Sequence, residues 1–241
     1  MYGWRGIIGH AAPSRGDTLV YEFYHAAPKG TALFNNTGSI RKIDGEDIAK
    51  QTQRMEDSSR DLVEAGAGVV FVGGDPIFTT LGYDSHEEFT ERLTESSGKP
   101  IKTTIGAAVE AMRELGLKRV IIASPYEPEF IHKSKIFLEQ AGFEVTGEKG
   151  LGIRKNSEIG HLPAYASYAI AKEAFAATPE ADGIYLPCSR WPTLECIEAL
   201  ERDTGIPAIT SSMSVIWSGL KTLNVREEIR GYGKLLSSLG G

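Results

Sequence analysis

The chain has 241 residues, with 26 Lys and Arg against 32 Asp and Glu, so its formal net charge is −6. Hydrophobic residues make up 41% and charged residues 24%, the composition of a globular chain with one large or two small domains and a core that needs no staples. The acidic balance excludes a general nucleic-acid binder, and no apolar run approaches the roughly 18 residues a membrane helix needs.

The N-terminal stretch carries Arg5 and His10 and is too short and too polar for a signal peptide. Arg5–Ala12 reads as a first strand, ended by Pro13, and Thr31–Phe34 as a second. Gly45–Ala65 carries Ile48, Met55, Leu62 and Val63 at helical spacing. The continuous apolar run Gly68–Val72, closed by Gly73-Gly74, predicts a buried strand. Ser85–Leu93 and Thr104–Leu115 read as helices, and Arg119–Ala123 as another buried strand. Pro128–Ala141 is helical, and a strand starts at Gly142–Val145. Pro163–Ala177 is an Ala-rich helix and Gly183–Leu186 a strand ending at Pro187-Cys188. Thr193–Asp203 reads as a helix, Pro207–Ile209 as a short strand and Ser212–Leu223 as a helix.

Strand and helix alternate throughout, which predicts an α/β fold with parallel sheets. The segments GVVFVGGDP and GIYLPCSRWP both run from a strand into a polar turn, which suggests two similar lobes. The expected partition puts residues 1–115 with 212–241 in the first lobe and 116–211 in the second.

Ligands of open α/β sheets bind beyond the carboxyl ends of the strands. That rule selects Pro13–Gly16, Gly73–Pro76, Ser124–Tyr126, the Asn156 loop and Pro187–Arg190. Cys188 ends a strand just before an expected helix, where the helix dipole and free amides favour a thiolate; the plain alternative is a small buried residue. Cys196, inside a helix, reads as apolar packing. The two cysteines sit eight positions apart within one strand-to-helix segment, which argues against a mutual disulfide and fits a reducing cytoplasm. Ser189, Gly74 and Ser124 are small enough to let amides approach an anion. Arg15 and Arg190 are candidates for gripping a carboxylate, or else solvated surface charges. Asn156 is either a hydrogen-bonding partner for substrate or a helix N-cap. Trp191 and Phe78 line an apolar wall or pack in the core. No dinucleotide or P-loop glycine motif follows a strand, and the five histidines show no metal-ligand spacing, so neither nucleotide cofactor nor metal is expected.

Gly152-Ile153-Arg154-Lys155-Asn156-Ser157-Glu158-Ile159-Gly160, Ser124-Pro125-Tyr126, Leu186-Pro187-Cys188 and Thr210-Ser211-Ser212 together resemble the maleate cis-trans isomerase and arylmalonate decarboxylase family of the aspartate/glutamate racemase superfamily. The resemblance implies a cofactor-free enzyme, often oligomeric, with two Rossmann-like lobes and its site in the cleft between them. It implies a small carboxylate substrate and a catalytic cysteine at Cys188. The superfamily's first cysteine falls at Gly74-Asp75-Pro76, where this sequence has none. Arylmalonate decarboxylases lack it too, but carry hydroxyl residues after the glycine, where Asp75 and Pro76 stand here. The isomerases' carboxylate-binding Asn of the first loop is absent as well, the loop reading Pro13-Ser14-Arg15-Gly16.

The leading expectation is therefore a decarboxylase in which Cys188 protonates the carbanion while Tyr126 and amides near Gly74 and Ser189 hold the enediolate. A racemase or isomerase pairing Cys188 with Asp75 is the second expectation, against Asp75 as an ordinary turn residue. A non-catalytic small-molecule binder is the third.

Overall fold

The computed structural model describes residues 2–14, 17–38 and 45–241, with backbone only for residues 45–47. Eight strands form two four-stranded parallel sheets. In the first half, β1 (Gly6–Ala12), α1 (Asp17–Ala26), β2 (Thr31–Thr37), α2 (Gly45–Glu64) and β3 (Val69–Val72) are followed by α3 (Asp75–Leu81), α4 (Tyr83–Ser97), β4 (Ile101–Thr103) and α5 (Thr104–Glu114). The second half runs β5 (Arg119–Ser124), α6 (Pro128–Gln140), β6 (Glu144–Gly150), α7 (Asn156–Ile159), α8 (Ala164–Ala177), β7 (Gly183–Leu186), α9 (Ile197–Thr204), β8 (Ala208–Thr210) and α10 (Ser211–Thr222). A 3₁₀ turn at Leu194–Cys196 precedes α9, and α11 (Gly233–Ser237) is followed by a second 3₁₀ turn at Ser238–Gly240.

The sheet orders are β2-β1-β3-β4 and β6-β5-β7-β8, so the second half repeats the first strand for strand. The echo between GVVFVGGDP and GIYLPCSRWP is the correspondence of β3 with β7. Both strands are fully buried, as continuous apolar runs covered on two faces by helices must be. The central pairs hold register at Ile8↔Val69 and Val120↔Gly183.

Each half ends the same way. Thr103 caps α5 by accepting from the Gly106 amide, and Thr210 caps α10 by accepting from the Met213 amide. These two equivalent helices pack against each other between the sheets. α10 also lies on β1 and β3, while α11 lies on α9 and β8, so the C-terminal segment touches both halves.

Several elements differ from the sequence expectations. The Gly-Asp-Pro segment is the start of α3 rather than a turn, because proline is tolerated in the first turn of a helix, where its missing N–H costs nothing. The helix expected from Thr193 begins as a 3₁₀ turn at Leu194 and becomes α9 only at Ile197. α1, α7 and the three-residue β4 were not anticipated. Among the described residues, no helix is long and apolar enough to cross a membrane.

Candidate active site

In each sheet the strand order reverses between its two central strands, β1 and β3 or β5 and β7. The crevice at such a switch point is where open α/β sheets bind ligands. Here the two crevices share one cavity of about 470 Å³. Its walls include Pro13 and Ser14 after β1, Gly73 to Ile77 after β3, Tyr126 after β5, Ile153 to Ser157 before and in α7, and Cys188 to Arg190 after β7. Phe130 and Ile159 add apolar surface.

Of the residues singled out in the sequence, Ser14, Gly74, Asp75, Pro76, Tyr126, Asn156, Cys188 and Ser189 all border this cavity. Arg15 lies outside the described residues. Ser124 does not border it: its buried hydroxyl accepts from the Tyr126 amide at 3.1 Å and shapes the turn that presents Tyr126. Asn156 is the first residue of α7 rather than its cap, and its side-chain amide donates across the cleft to Ser14 Oγ at 2.7 Å. Trp191 and Phe78 are fully buried core residues away from the cavity wall. Cys196 is packed as expected, with its sulfur 3.1 Å from Ser167 Oγ. Both cysteines are free.

Gly74 has φ of 96° and caps α3 in the left-handed region. A Cβ there would stand 3.0 Å from Pro13 Cγ, so both backbone and space require glycine. This turn sets Asp75 at the head of α3, 4% exposed. The carboxyl accepts from three hydroxyls: Thr104 on one oxygen, and Ser211 at 3.0 Å and Tyr185 at 3.3 Å on the other. Thr104 and Ser211 are equivalent residues, each directly after the threonine cap of its helix. One carboxyl thus receives the same hydroxyl from both halves, at two helix N-termini that favour negative charge. Burial still pushes Asp75 above the usual carboxylate range, against those three bonds and the nearby Cys188 amide.

Cys188 has φ of 89°, a left-handed conformation that costs a non-glycine residue about 1–2 kcal/mol. The surroundings impose it. The Cys188 amide donates to Ser211 Oγ at 3.0 Å, and its carbonyl accepts from the Trp191 amide at 3.1 Å. The loop beyond is clamped by α1: Thr18 Oγ1 donates to the Arg190 carbonyl at 2.8 Å, and Glu22 Oε1 accepts from the Thr193 and Leu194 amides at 2.8 Å each. Both α1 residues come from the first half and hold the segment that carries the cysteine.

The Tyr126 hydroxyl and the amides of Arg190 and Trp191 lie around the sulfur and favour its charged form. Burial outweighs these donors and the thiol is pushed up to about 11. The expected thiolate is therefore corrected to a thiol. No helix starts directly after Cys188, so no dipole points at the sulfur, and desolvation disfavours the charged form. Tyr126 is shifted well above its ordinary range by burial and by the neighbouring Cys188 and Asp75, so it remains a donor. Thr104, Tyr185, Thr18 and Glu22 were not singled out in the sequence, and Ser211 entered only within the Thr210-Ser211-Ser212 motif. The repeated strand-Thr-hydroxyl pattern at Thr103-Thr104 and Thr210-Ser211 is the one signal that could have found Thr104 and Ser211.

No group of three or more His, Cys, Asp or Glu among the described residues could hold a metal ion. Two repeated α/β halves, with one buried thiol at their shared crevice, define a candidate enzyme site. The chain belongs to the arylmalonate decarboxylase family, which matches residues 24–236. The arylmalonate decarboxylase of Bordetella bronchiseptica is 29% identical over 184 residues, which is 76% of this chain and 77% of that protein. A maleate isomerase of Nocardia farcinica is 29% identical over 239 residues, or 95% of this chain and 94% of its own. A liganded arylmalonate decarboxylase with a glycine-to-cysteine and a cysteine-to-serine substitution superposes with a TM-score of 0.88 at 25% identity, covering 95% of this chain and 98% of that one. The protein is a cofactor-independent decarboxylase or isomerase.

Proposed function

We propose that the protein decarboxylates a small malonate-type dicarboxylate, with Cys188 delivering the proton to the α carbon. The carrying observation is that only one thiol borders the cavity. The turn opposite it reads Gly74-Asp75-Pro76, and the other cysteine, Cys196, is packed away against Ser167. Addition to a double bond by one thiol with a second thiol opposite has no second partner here. Decarboxylation needs a single positioned acid.

The step balances within the cleft. The C–C bond to one carboxylate breaks and CO₂ leaves, its bonding pair passing into an enediolate on the retained carboxylate. The Cys188 S–H then protonates the carbon, and the thiolate recovers its proton from solvent. A thiol with its pKa near 11 is neutral at the start of every turnover and resets readily. The Tyr126 hydroxyl beside the sulfur favours the transient thiolate.

In this reading Asp75 positions rather than reacts. Its acceptor sites are engaged by Thr104, Ser211 and Tyr185, and through Ser211, which accepts from the Cys188 amide, it keeps the strained Cys188 in place. The alternative, a racemase or isomerase with Asp75 as the second acid–base group, requires that carboxyl to leave all three partners. The partner is a small carboxylate, and two free thiols suit a reducing cytoplasm.

The test is incubation in D₂O with phenylmalonate and, separately, with maleate, followed by NMR. The expected products are CO₂ and phenylacetate labelled once at the α carbon, with no fumarate. Conversion of maleate to fumarate without CO₂ release overturns the proposal.

A further inference from the structure

We propose that Arg190 anchors the carboxylate that the substrate retains, taking over from the hydroxyl residues that Asp75 and Pro76 displace. The inference rests on the decarboxylase reading and names the group that holds its enediolate. Among the described residues, three cations border the cavity. Arg154 is paired with Glu127 at 2.6 Å and Lys155 with Glu158 at 3.7 Å. Arg190 makes no ion pair among the described residues, and its Nε is buried without a hydrogen-bond partner. The one acidic side chain on the same wall, Asp75, is already bonded to Thr104, Ser211 and Tyr185. A half-buried guanidinium with an orphaned N–H gains a partner when an anion arrives from the cavity.

The fold also fixes where Arg190 sits. Its carbonyl accepts from the Thr18 hydroxyl at 2.8 Å, so the backbone is pinned two residues beyond the thiol. The side chain passes Gly160, where a Cβ would stand 3.1 Å from Arg190 Nε and 3.5 Å from its Cγ. Gly160 has an ordinary helical φ of −68°, so glycine serves here as space for the arginine, not as a turn former. A guanidinium offers parallel N–H donors to both oxygens of a carboxylate, and these bonds strengthen as charge builds on those oxygens in the enediolate. Pro76 has no amide proton to give, and Asp75 would repel the same group, so this face of the cavity has no comparable donor.

The experiment measures binding by calorimetry and turnover separately. The probes are phenylacetate, which has the retained carboxylate, and phenylacetamide, its neutral counterpart. Wild-type protein is expected to bind phenylacetate at least about tenfold more tightly than the amide, and Arg190→Gln to lose that preference. Arg190→Lys keeps the charge but not the fork, and should recover only part of it. Gly160→Ala, which displaces the guanidinium, should weaken phenylacetate and leave phenylacetamide unchanged. With phenylmalonate, Arg190→Gln should lower kcat as well as raise KM. Equal binding of acid and amide by the wild type, no binding of phenylacetate, or unchanged acid affinity in Arg190→Gln would each overturn the assignment. Failure of the decarboxylase reading shows differently: phenylmalonate would be inert while the Arg190-dependent preference for phenylacetate persisted.

Discussion

Asp75 separates positioning from acid–base chemistry, because two substitutions predict different patterns. Asp75→Asn keeps the shape of the side chain. Thr104, Ser211 and Tyr185 carry hydroxyls, which can turn to accept from the new amide, whereas the Cys188 N–H can only donate and still finds an oxygen on Asn or on Ser211. The expected cost is about 1 kcal/mol of stability. Asp75→Ala removes the acceptor altogether. Ser211 and Tyr185 lie 3.3 Å apart and can pair with each other, so Thr104 is the main orphan, beside a new cavity. That places the loss at about 3 kcal/mol, out of a total of roughly 5–15 kcal/mol for a domain. Without its clamp, Cys188 at φ 89° is free to relax, and a misplaced acid costs about 10²-fold in kcat. Urea unfolding and steady-state decarboxylation measure the two effects. Asn within about tenfold of wild type, with Ala about 10²-fold down, is the positioning pattern. Equal and severe losses in both variants, with Asn as stable as wild type, would make Asp75 the second acid–base group and refute the reasoning.

Alkylation of Cys188 by iodoacetamide should be slow at neutral pH and rise about tenfold per pH unit towards about 11; a plateau near neutrality would mean a thiolate. His10 and His86 are buried, and burial lowers both from 6.5 to about 4, so the folded protein keeps them neutral while the unfolded chain takes up protons. Their stabilising contribution is present above pH 6.5 and lost as pH falls towards 4, about 3 kcal/mol for each ring. His86→Leu should flatten the stability curve across that window in chemical denaturation. Asp75 and Glu22, both raised by burial, act in the opposite sense, losing stability as pH rises through their folded values, so the variant rather than the raw curve isolates the histidine. Glu22→Ala should leave the Thr193 and Leu194 amides unpaired, costing about 3 kcal/mol and lowering kcat through the Cys188 loop; Glu22→Gln keeps Oε1 as acceptor and should retain both.

The strands that carry the site were legible because parallel strands are covered on both faces and leave unbroken apolar runs, such as Val69–Val72 and Gly183–Leu186. The strand-end rule then selected Ser14, Gly74, Tyr126, Asn156 and Cys188 without knowledge of their neighbours. What it missed depends on distance in sequence. Thr104, Tyr185 and Ser211 meet Asp75 from 29, 110 and 136 residues away, and single hydroxyls are too common to announce such a meeting. The helix α3 was hidden because Gly-Asp-Pro serves a turn and a helix start equally well. The thiolate expectation failed because a strand end reveals location but not burial, and burial decides the charge of Cys188.

The central claim, that the proton reaching carbon comes from Cys188, is tested most directly by single-turnover decarboxylation of phenylmalonate in D₂O with wild type and Cys188→Ala. The account predicts a stereochemically pure α-deuterated product from the wild type and a rate about 10²–10⁴-fold lower in the variant, with phenylacetate binding retained. A Cys188→Ala enzyme that turns over at the wild-type rate and gives the same single enantiomer would contradict it.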